Sequence, residues 1–318
     1  MRSAVLFLIF NRPDTTRQVF EAIRAAKPPR LYVAADGPRP TRAGEHECCA
    51  EARRIATEVD WPCEVKTLFR DSNLGCKMGV SGGIEWFFEH EEEGVILEDD
   101  VLPLPSFFAY CDELLERYRH DDRVGMISGC NLVVKHFAPA HSYFFSRYNH
   151  IWGWASWRRA WRHYDVAMRS WREWESSGGL KKISDGSRAF EVYWSECFNN
   201  TYAGKIDTWD YQWTFACWRQ EMMAVLPAQN QIGNLGFGPG ATHTTEELPA
   251  YVRESAARLL SFPLHHPLKV ERSQHADRLI HAKIFGVSPL VALGRRMKKV
   301  FWIAALITAV RRGLSNAK

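Results

Sequence analysis

The 318-residue sequence lacks several patterns that would assign it to a common class. Its eight cysteines form no CxxC pair, which argues against a zinc framework and favours reduced cysteines in a cytoplasmic protein. Neither GxxxxGK[ST] nor GxGxxG occurs, so a P-loop and a dinucleotide-binding fingerprint both lose support. No small-residue cleavage site follows the N-terminal apolar run, which therefore predicts a first core strand rather than a signal peptide.

Acidic residues are absent from the end of the chain. Nine Lys and Arg residues lie between Arg278 and Lys318, where no Asp or Glu occurs. Because the whole chain has a net charge of +4, the residues before this tail carry a net charge of −5. A mildly acidic body with a basic tail argues against a general nucleic-acid-binding surface.

The basic tail also lacks an apolar run long enough to cross a membrane. Its apolar core, Val300–Val310, has eleven residues, whereas a bilayer span needs about 20. The pattern predicts a basic amphipathic helix over about residues 288–313 that lies on an anionic membrane surface or packs on the body of the protein. The missing acids favour the membrane surface, so we expect a cytoplasmic protein bound peripherally to the inner face of the cell membrane.

Strand and helix patterns alternate over the first 130 residues. This predicts an α/β fold with a mainly parallel sheet flanked by helices. The apolar runs predict strands at Ala4–Phe10, Arg30–Ala35, Cys63–Phe69, Gly94–Leu97 and Val124–Ser128. Since the carboxyl ends of parallel strands share one edge, we expect the polar residues after these strands to converge there. They are Asn11, Arg12, Asp36, Arg70, Asp71, Glu98, Asp99 and Asp100.

Three adjacent carboxylates, Glu98, Asp99 and Asp100, end one of these apolar runs. Mg²⁺ and Mn²⁺ typically bind one or two protein carboxylates together with substrate phosphates and water, so the cluster predicts a divalent cation site for a nucleotide diphosphate. Carboxylates that cap the next helix or face water are the alternative. Lys77 lies in a glycine-rich helix start and is expected to reach a phosphate, although close helix packing also explains the glycines.

The order of these motifs resembles the nucleotide-binding half of GT-A glycosyltransferases, above all the N-acetylglucosaminyltransferase I family and related bacterial proteins. The shared features are NR after the first strand, DG after the second, NLG, and ILEDDVLPLPSFFAY. The resemblance implies a Rossmann-like GT-A fold and a UDP-sugar donor carried by Mn²⁺ or Mg²⁺. It implies a metal contact for Asp100 and donor contacts for Asp99, Arg12 and Asp36. The neighbouring Asn11, Lys77 and Glu98 complete the expected donor site.

The second half of the chain resembles the same family more loosely. WDYQW (209–213) is similar to the family's Trp-Asp-Asp-Trp segment, which supplies the base that activates the acceptor. Tyr211 and Gln212 stand where the family has one Asp, so Asp210 is the expected general base and Asp207 the reserve. An N-cap of the following helix is the alternative role for Asp210.

Two further features have both a functional and a plain interpretation. His243 ends a glycine-rich loop that is similar to the family's Ser-His-Gly loop, and it is expected to contact the metal or phosphate or else to face solvent. Ten of the 13 Trp residues lie between Trp152 and Trp218, in a region predicted to be mostly helical. Most should be core residues, whereas Trp152 and Trp154, on either side of Gly153, are candidates to stack on an acceptor sugar.

The sequence therefore predicts a metal-dependent, inverting glycosyltransferase that moves a sugar from a UDP-sugar to a hydroxyl of a glycan or lipid-linked acceptor. Residues 1–130 form the nucleotide-sugar-binding half, 131–250 the acceptor and catalytic half, and 251–318 a C-terminal extension. One alternative is a sugar-1-phosphate nucleotidyltransferase, against which the glycine-free NRPDTTRQ after the first strand argues. The other is a non-enzymatic membrane-binding protein that acts through its tail.

Overall fold

The protein is described by a computed structural model that covers residues 1–236 and 249–286. Its strands are β1 (Ala4–Ile9), β2 (Arg30–Ala35), β3 (Glu64–Phe69), β4 (Glu93–Glu98), β5 (Val101–Pro103), β6 (Val124–Ser128), β7 (Tyr143–Ser146), β8 (Trp154–Trp157), β9 (Met223–Pro227) and β10 (Ile232–Asn234). Eight of them form one sheet in the order β3-β2-β1-β4-β8-β6-β9-β7, and β5 pairs with β10 in a small second sheet.

Six strands of the large sheet run in the same direction, and β7 and β8 run against them. This mainly parallel sheet flanked by helices confirms the α/β, Rossmann-like fold predicted from the sequence. It also brings the carboxyl ends of β1, β2, β3, β4, β6 and β9 to one side of the sheet, which we call the carboxyl edge. The sheet contains strands from both halves of the chain, because β8 lies between β4 and β6.

Helices cover both faces of this sheet, and β1 shows why. Val5, Phe7 and Ile9 pack into one buried cluster, whereas Ala4, Leu6 and Leu8 pack into another. A strand that is buried on both faces needs an uninterrupted apolar sequence. The helices are α1 (Pro13–Ala26), α2 (Glu45–Ala56), α3 (Gly75–His90), α4 (Pro105–Tyr118), α5 (Arg158–Trp161), α6 (Trp171–Ser176), α7 (Gly179–Ile183), α8 (Arg188–Tyr202), α9 (Asp210–Arg219), α10 (Ala250–Arg253) and α11 (Gln274–Lys283).

Tryptophan side chains form much of the core beneath α9. Trp154, the first residue of β8, is 1% exposed, and its ring stacks on that of Trp209 with centroids 5.8 Å apart. The rings of Trp161 and Trp213 lie 6.3 Å and 5.9 Å from it. The prediction that Trp154 presents a face to an acceptor sugar is wrong, because the side chains of a strand alternate between faces and this one points into the core.

The C-terminal part of the described chain is tied to β7 by buried charges. Asp277 in α11 is 3% exposed and accepts a hydrogen bond of 2.6 Å from the Ser146 hydroxyl. It also forms ion pairs with Arg147 and Arg272 at 3.3 Å and 2.8 Å. Within residues 1–236 and 249–286, no helix has the length and apolar character needed to span a bilayer. The predicted amphipathic helix over residues 288–313 lies outside the described residues.

Replacing Trp154 by Ala should lower the free energy of unfolding by about 3–5 kcal/mol, because it leaves a large cavity between β8 and α9. Urea denaturation measures this loss. Trp152→Ala is the matched control, since Trp152 is only partly buried and its loss should cost clearly less. Equal losses in the two variants would contradict the placement of Trp154 in the core.

Candidate active site

Charged side chains that follow β1 and β4 meet at the carboxyl edge. The Nη1 atom of Arg12 lies 2.6 Å from Oδ2 of Asp100 and 3.7 Å from Oδ1 of Asp99. The backbone N–H of Phe10 donates a hydrogen bond of 2.9 Å to Oδ2 of Asp99. Because β1 and β4 are neighbours in the sheet, residues almost ninety positions apart in sequence become direct partners.

The carboxylates after β4 hold more negative charge than their surroundings readily accept. Burial raises the pKa of Asp99 to about 7, and the nearby Asp100 adds to this rise, while Arg12 and the Phe10 amide oppose it. Burial likewise raises the pKa of Glu98, and the charges of Asp100, Asp99 and Asp210 raise it further. The cluster is therefore an electrostatically costly arrangement that a bound cation would relieve.

Two further acidic residues, Asp207 before α9 and Asp210 at its start, lie near this cluster and the start of α3. Burial raises the pKa of the Cys76 thiol, in the first turn of α3, to about 12, and the charges of Glu98, Asp210 and Asp207 contribute to the rise. A Cβ atom at Gly75 would lie 3.4 Å from Oδ2 of Asp207. The structure thus brings both candidate bases, Asp210 and Asp207, to the side of the carboxylate cluster.

Asp210 is the first residue of α9, and Trp209 is the N-cap. The structure therefore does not support the alternative role of Asp210 as the N-cap, and no side-chain hydrogen bond is made by the N-cap residue. Its Oδ1 atom accepts hydrogen bonds from the Thr208 hydroxyl and from the Tyr211 backbone N–H, the latter at 2.9 Å. A carboxylate in the first turn of a helix interacts favourably with the helix dipole.

Asp36 after β2 fastens the start of α3. Its carboxylate accepts backbone hydrogen bonds from Leu74 at 2.9 Å and from Gly75 at 3.0 Å. A Cβ atom at Gly79 would lie 3.1 Å from Oδ2 of Asp36, so a larger residue there would crowd this carboxylate. These bonds give the DG and NLG motifs a structural role, because they connect the end of β2 to the start of α3. The predicted donor contact of Asp36 stays a prediction.

Asn11 is held by a buried carboxylate that the sequence did not single out. Its amide Nδ2 donates a hydrogen bond of 2.8 Å to Oε1 of Glu45, which is 6% exposed. Arg39 binds the same carboxylate through its backbone N–H at 2.6 Å and through its guanidinium. Lys77, in the first turn of α3, forms no side-chain hydrogen bond or ion pair with the residues that the structure describes.

The small second sheet brings another unpredicted residue to Asp100. The backbone N–H of Leu235 donates a hydrogen bond of 2.7 Å to the carbonyl oxygen of Asp100, just after β10. At Gly236, a Cβ atom would lie only 2.1 Å from Oδ2 of Asp100, so this position must lack a side chain for Asp100 to keep its orientation. The glycine-rich run after residue 231 was the only sequence signal for this contact.

The remaining candidates differ in what the structure describes. Trp152 is partly buried beside Cys130, whose thiol donates to the Trp152 carbonyl oxygen at 3.2 Å. It precedes β8, which begins at the carboxyl edge, so Trp152 stays a candidate for acceptor contact. His243 lies outside the described residues.

The donor set at the end of β4 fits a hard divalent cation. Among residues 1–236 and 249–286, no group of three or more His, Cys, Asp and Glu side chains is arranged to hold a metal. Mg²⁺ and Mn²⁺ do not need such a group, because one or two carboxylates and substrate phosphates suffice. Asp100 and Asp99, with their surplus of negative charge, match that requirement.

No protein-family model matches the chain, and no curated protein does. Among solved structures, the chain is similar to HddC from Yersinia pseudotuberculosis, with 9% identity, a TM-score of 0.29, and coverage of 49% of this chain and 77% of that one. For S. aureus TarS 1-349 the identity is 7%, the TM-score 0.38 and the coverage 73% and 59%. For a UDP-glucose pyrophosphorylase complexed with UDP-glucose, the identity is 12% and the TM-score 0.26, and the match covers 46% of this chain and 62% of that one. The chain thus spans about three fifths of the latter two, and such low similarity says nothing about its substrate.

Glu45→Gln should destabilise the protein at neutral pH. The hydrogen bonds from Arg39 lower the pKa of Glu45 to about 2 in the folded state, below its usual 4.5. A lowered folded pKa contributes stability that is complete above about pH 4.5 and is lost as the pH falls through 2. We expect the variant to lose about 2 kcal/mol at pH 7 and progressively less towards pH 2.

Urea denaturation at pH 7 and pH 3 measures this pH dependence. Glu51→Gln is the control, because Glu51 also pairs with an arginine on α2 but is 40% exposed. A loss for Glu45→Gln that is the same at both pH values would contradict the assignment.

Proposed function

We propose that this protein transfers a sugar from a UDP-sugar donor to a hydroxyl of an acceptor, with a divalent cation at the carboxyl edge. The observation that carries the proposal is the partly buried carboxylate cluster at the end of β4, where Arg12 contacts Asp100 and the charge of Asp210 acts on Glu98. A site for a diphosphate needs cations, and a site for hydroxyl activation needs a base. This edge has residues for both.

In this proposal Asp100, supported by Asp99, holds Mg²⁺ or Mn²⁺. The bound ion supplies charge neutralisation for the diphosphate that leaves the sugar. Arg12 adds a fixed positive charge next to the same carboxylates and orients Asp100 through its 2.6 Å contact. The Phe10 amide holds the Asp99 carboxylate in place. The backbone of Gly236 leaves room at Asp100, where a side chain would block it.

Asp210 is the proposed general base. The acceptor hydroxyl transfers its proton to the Asp210 carboxylate while its oxygen attacks the anomeric carbon, and UDP departs from the opposite face with inversion. The Thr208 hydroxyl and the Tyr211 amide orient this carboxylate. One carboxylate suffices because the leaving diphosphate requires no proton, unlike the leaving group in a glycosidase.

The proposed acceptor is a glycan or a lipid-linked glycan precursor. A glycan or lipid-linked glycan precursor at the cytoplasmic membrane face fits the basic tail, and Trp152 beside β8 is the proposed stacking residue. A sugar-1-phosphate nucleotidyltransferase would use the same edge, but it would release pyrophosphate from a nucleoside triphosphate. Assaying UDP and pyrophosphate release separately distinguishes the two reactions.

Asp100→Asn should abolish Mn²⁺-dependent release of UDP from UDP-sugars, because the amide has no charge for the cation. A panel of UDP-, GDP- and CMP-sugars identifies the substrate first, and EDTA should stop the reaction of the wild-type protein. Asp122→Asn is the matched control, since this side chain is 85% exposed and precedes β6, at the end of the sheet opposite to the carboxyl edge. Full activity of Asp100→Asn at saturating Mn²⁺ would rule out the metal role.

Asp210→Asn should leave UDP binding intact and lower turnover by roughly 10²–10⁴-fold, the usual effect of losing a general base. Calorimetry measures the UDP affinity, and steady-state kinetics measures turnover. Asp207→Asn separates the two candidates, because it should retain most of the activity. The reverse pattern, with Asp207→Asn inactive and Asp210→Asn active, would move the base to Asp207.

A further inference from the structure

Residues 255–265 are fastened along the carboxyl edge, and residues 266–270 continue this segment beside α4, where the His266 ring lies 3.1 Å from the Glu113 carboxylate. The backbone N–H of Arg258 donates to the Asn230 carbonyl oxygen at 2.8 Å, and the N–H of Leu260 donates to the Ser106 hydroxyl at 3.2 Å. Further along, the backbone N–H of His265 donates to the Ser142 hydroxyl at 2.8 Å, and the Ser142 N–H donates to the His265 carbonyl oxygen at 2.9 Å. Ser106 follows β5, Asn230 follows β9 and Ser142 precedes β7, so all three attachment points lie at this edge.

Buried leucines fix the same segment from below. Leu260 and Leu264 are 9% and 5% exposed and belong to the main core cluster. The segment is therefore a packed part of the domain with a defined inner and outer side. Its exposed residues are therefore held at the surface by the buried leucines of the same segment.

Three apolar side chains of the segment are exposed. Leu268 is 98% exposed, Leu259 64% and Phe262 43%. These are three of the nine large hydrophobic residues that are exposed in the described residues, and they fall within ten positions. Single apolar side chains at a surface are ordinary, but several on one fixed segment indicate a surface that is covered by something else.

The charge of the segment indicates what covers it. From residue 255 to 270 there is no Asp or Glu, and the exposed Arg258 and Lys269 flank the apolar residues. Lys269 approaches Glu271 at 3.5 Å, but both side chains are at least 70% exposed, so this pair contributes little. Apolar side chains between cations are typical of proteins that bind the interface of an anionic bilayer, where the cations meet lipid headgroups.

We propose that Leu259, Phe262 and Leu268 insert into an anionic lipid bilayer, with Arg258 and Lys269 at the headgroups. We call residues 258–269 the membrane-contact loop. Asn230, which binds the loop, lies just before β10, and β10 leads to the Leu235 contact with Asp100. The carboxyl edge would therefore face the membrane. In this respect the inference rests on the proposed function, because that orientation gives the site access to a lipid-linked acceptor.

Vesicle co-sedimentation of the full chain tests the proposal. The protein should bind vesicles of phosphatidylcholine with 30% phosphatidylglycerol and bind those of pure phosphatidylcholine much more weakly. The triple variant Leu259→Ser, Phe262→Ser, Leu268→Ser should lose at least about tenfold in partition coefficient. Each substitution removes apolar surface that the bilayer would bury, and such burial contributes about 25 cal/mol per Å². Arg258→Glu with Lys269→Glu should lose a similar factor, and 0.5 M salt should weaken wild-type binding.

Val192→Ser with Tyr202→Ser is the matched control, because these apolar residues of α8 are 52% and 42% exposed away from the loop. Thermal unfolding checks that all variants fold. Unchanged vesicle binding of both folded loop variants would overturn the proposal and leave binding to the tail alone. A change in oligomeric state without a change in vesicle binding would also overturn it, in favour of a second copy on this surface. No activity is measured here, so vesicle binding stands or falls independently of the sugar transfer.

Discussion

Three adjacent carboxylates at the end of β4 place more negative charge at the carboxyl edge than a partly buried site readily accepts. Glu98, Asp99 and Asp100 directly follow the buried residues 94–97 of β4, and burial together with mutual repulsion raises the pKa values of Glu98 and Asp99. Arg12 and the Phe10 amide offset part of this cost from the neighbouring β1. Asp210 adds to the negative charge rather than reducing it. An arrangement of this kind is stable when a cation completes it, which is the physical basis of the proposed site.

Sequence patterns predicted the first half of the fold closely and the helical character of the second half, but they missed two short strands there. The strands at 30–35 and 124–128 have the predicted bounds, since buried parallel strands are continuous apolar runs that can be read locally. By contrast, β7 and β8 lie in the aromatic region that was predicted to be mostly helical. Each has four residues, too few for a periodic pattern, and β8 exists because β4 and β6 offer it two partners. Such long-range pairing has no local signal.

The difference between local patterns and long-range contacts also explains which features of the site were predicted. Asp99, Asp100 and Arg12 became candidates because polar residues at strand ends are visible in the sequence and parallel topology brings them together. Asp210 became a candidate through the resemblance of WDYQW to the family's Trp-Asp-Asp-Trp segment. The roles of other residues depend on distant partners: Asp36 binds amides nearly forty residues away, and Gly236 touches Asp100. Trp154 was misassigned because the side to which a short strand turns its rings depends on the whole sheet.

One edge of the sheet carries the carboxylate cluster, the two candidate bases and the attachment points of the membrane-contact loop. This edge therefore combines the proposed chemistry with the proposed membrane contact. The central claim is that this edge binds a nucleotide diphosphate through a divalent cation. Isothermal titration of UDP into the full chain, with Mn²⁺ and then with EDTA, tests it most directly. The account predicts UDP binding that depends on Mn²⁺ and disappears in EDTA. UDP binding of equal affinity in EDTA, or none in Mn²⁺, would contradict it.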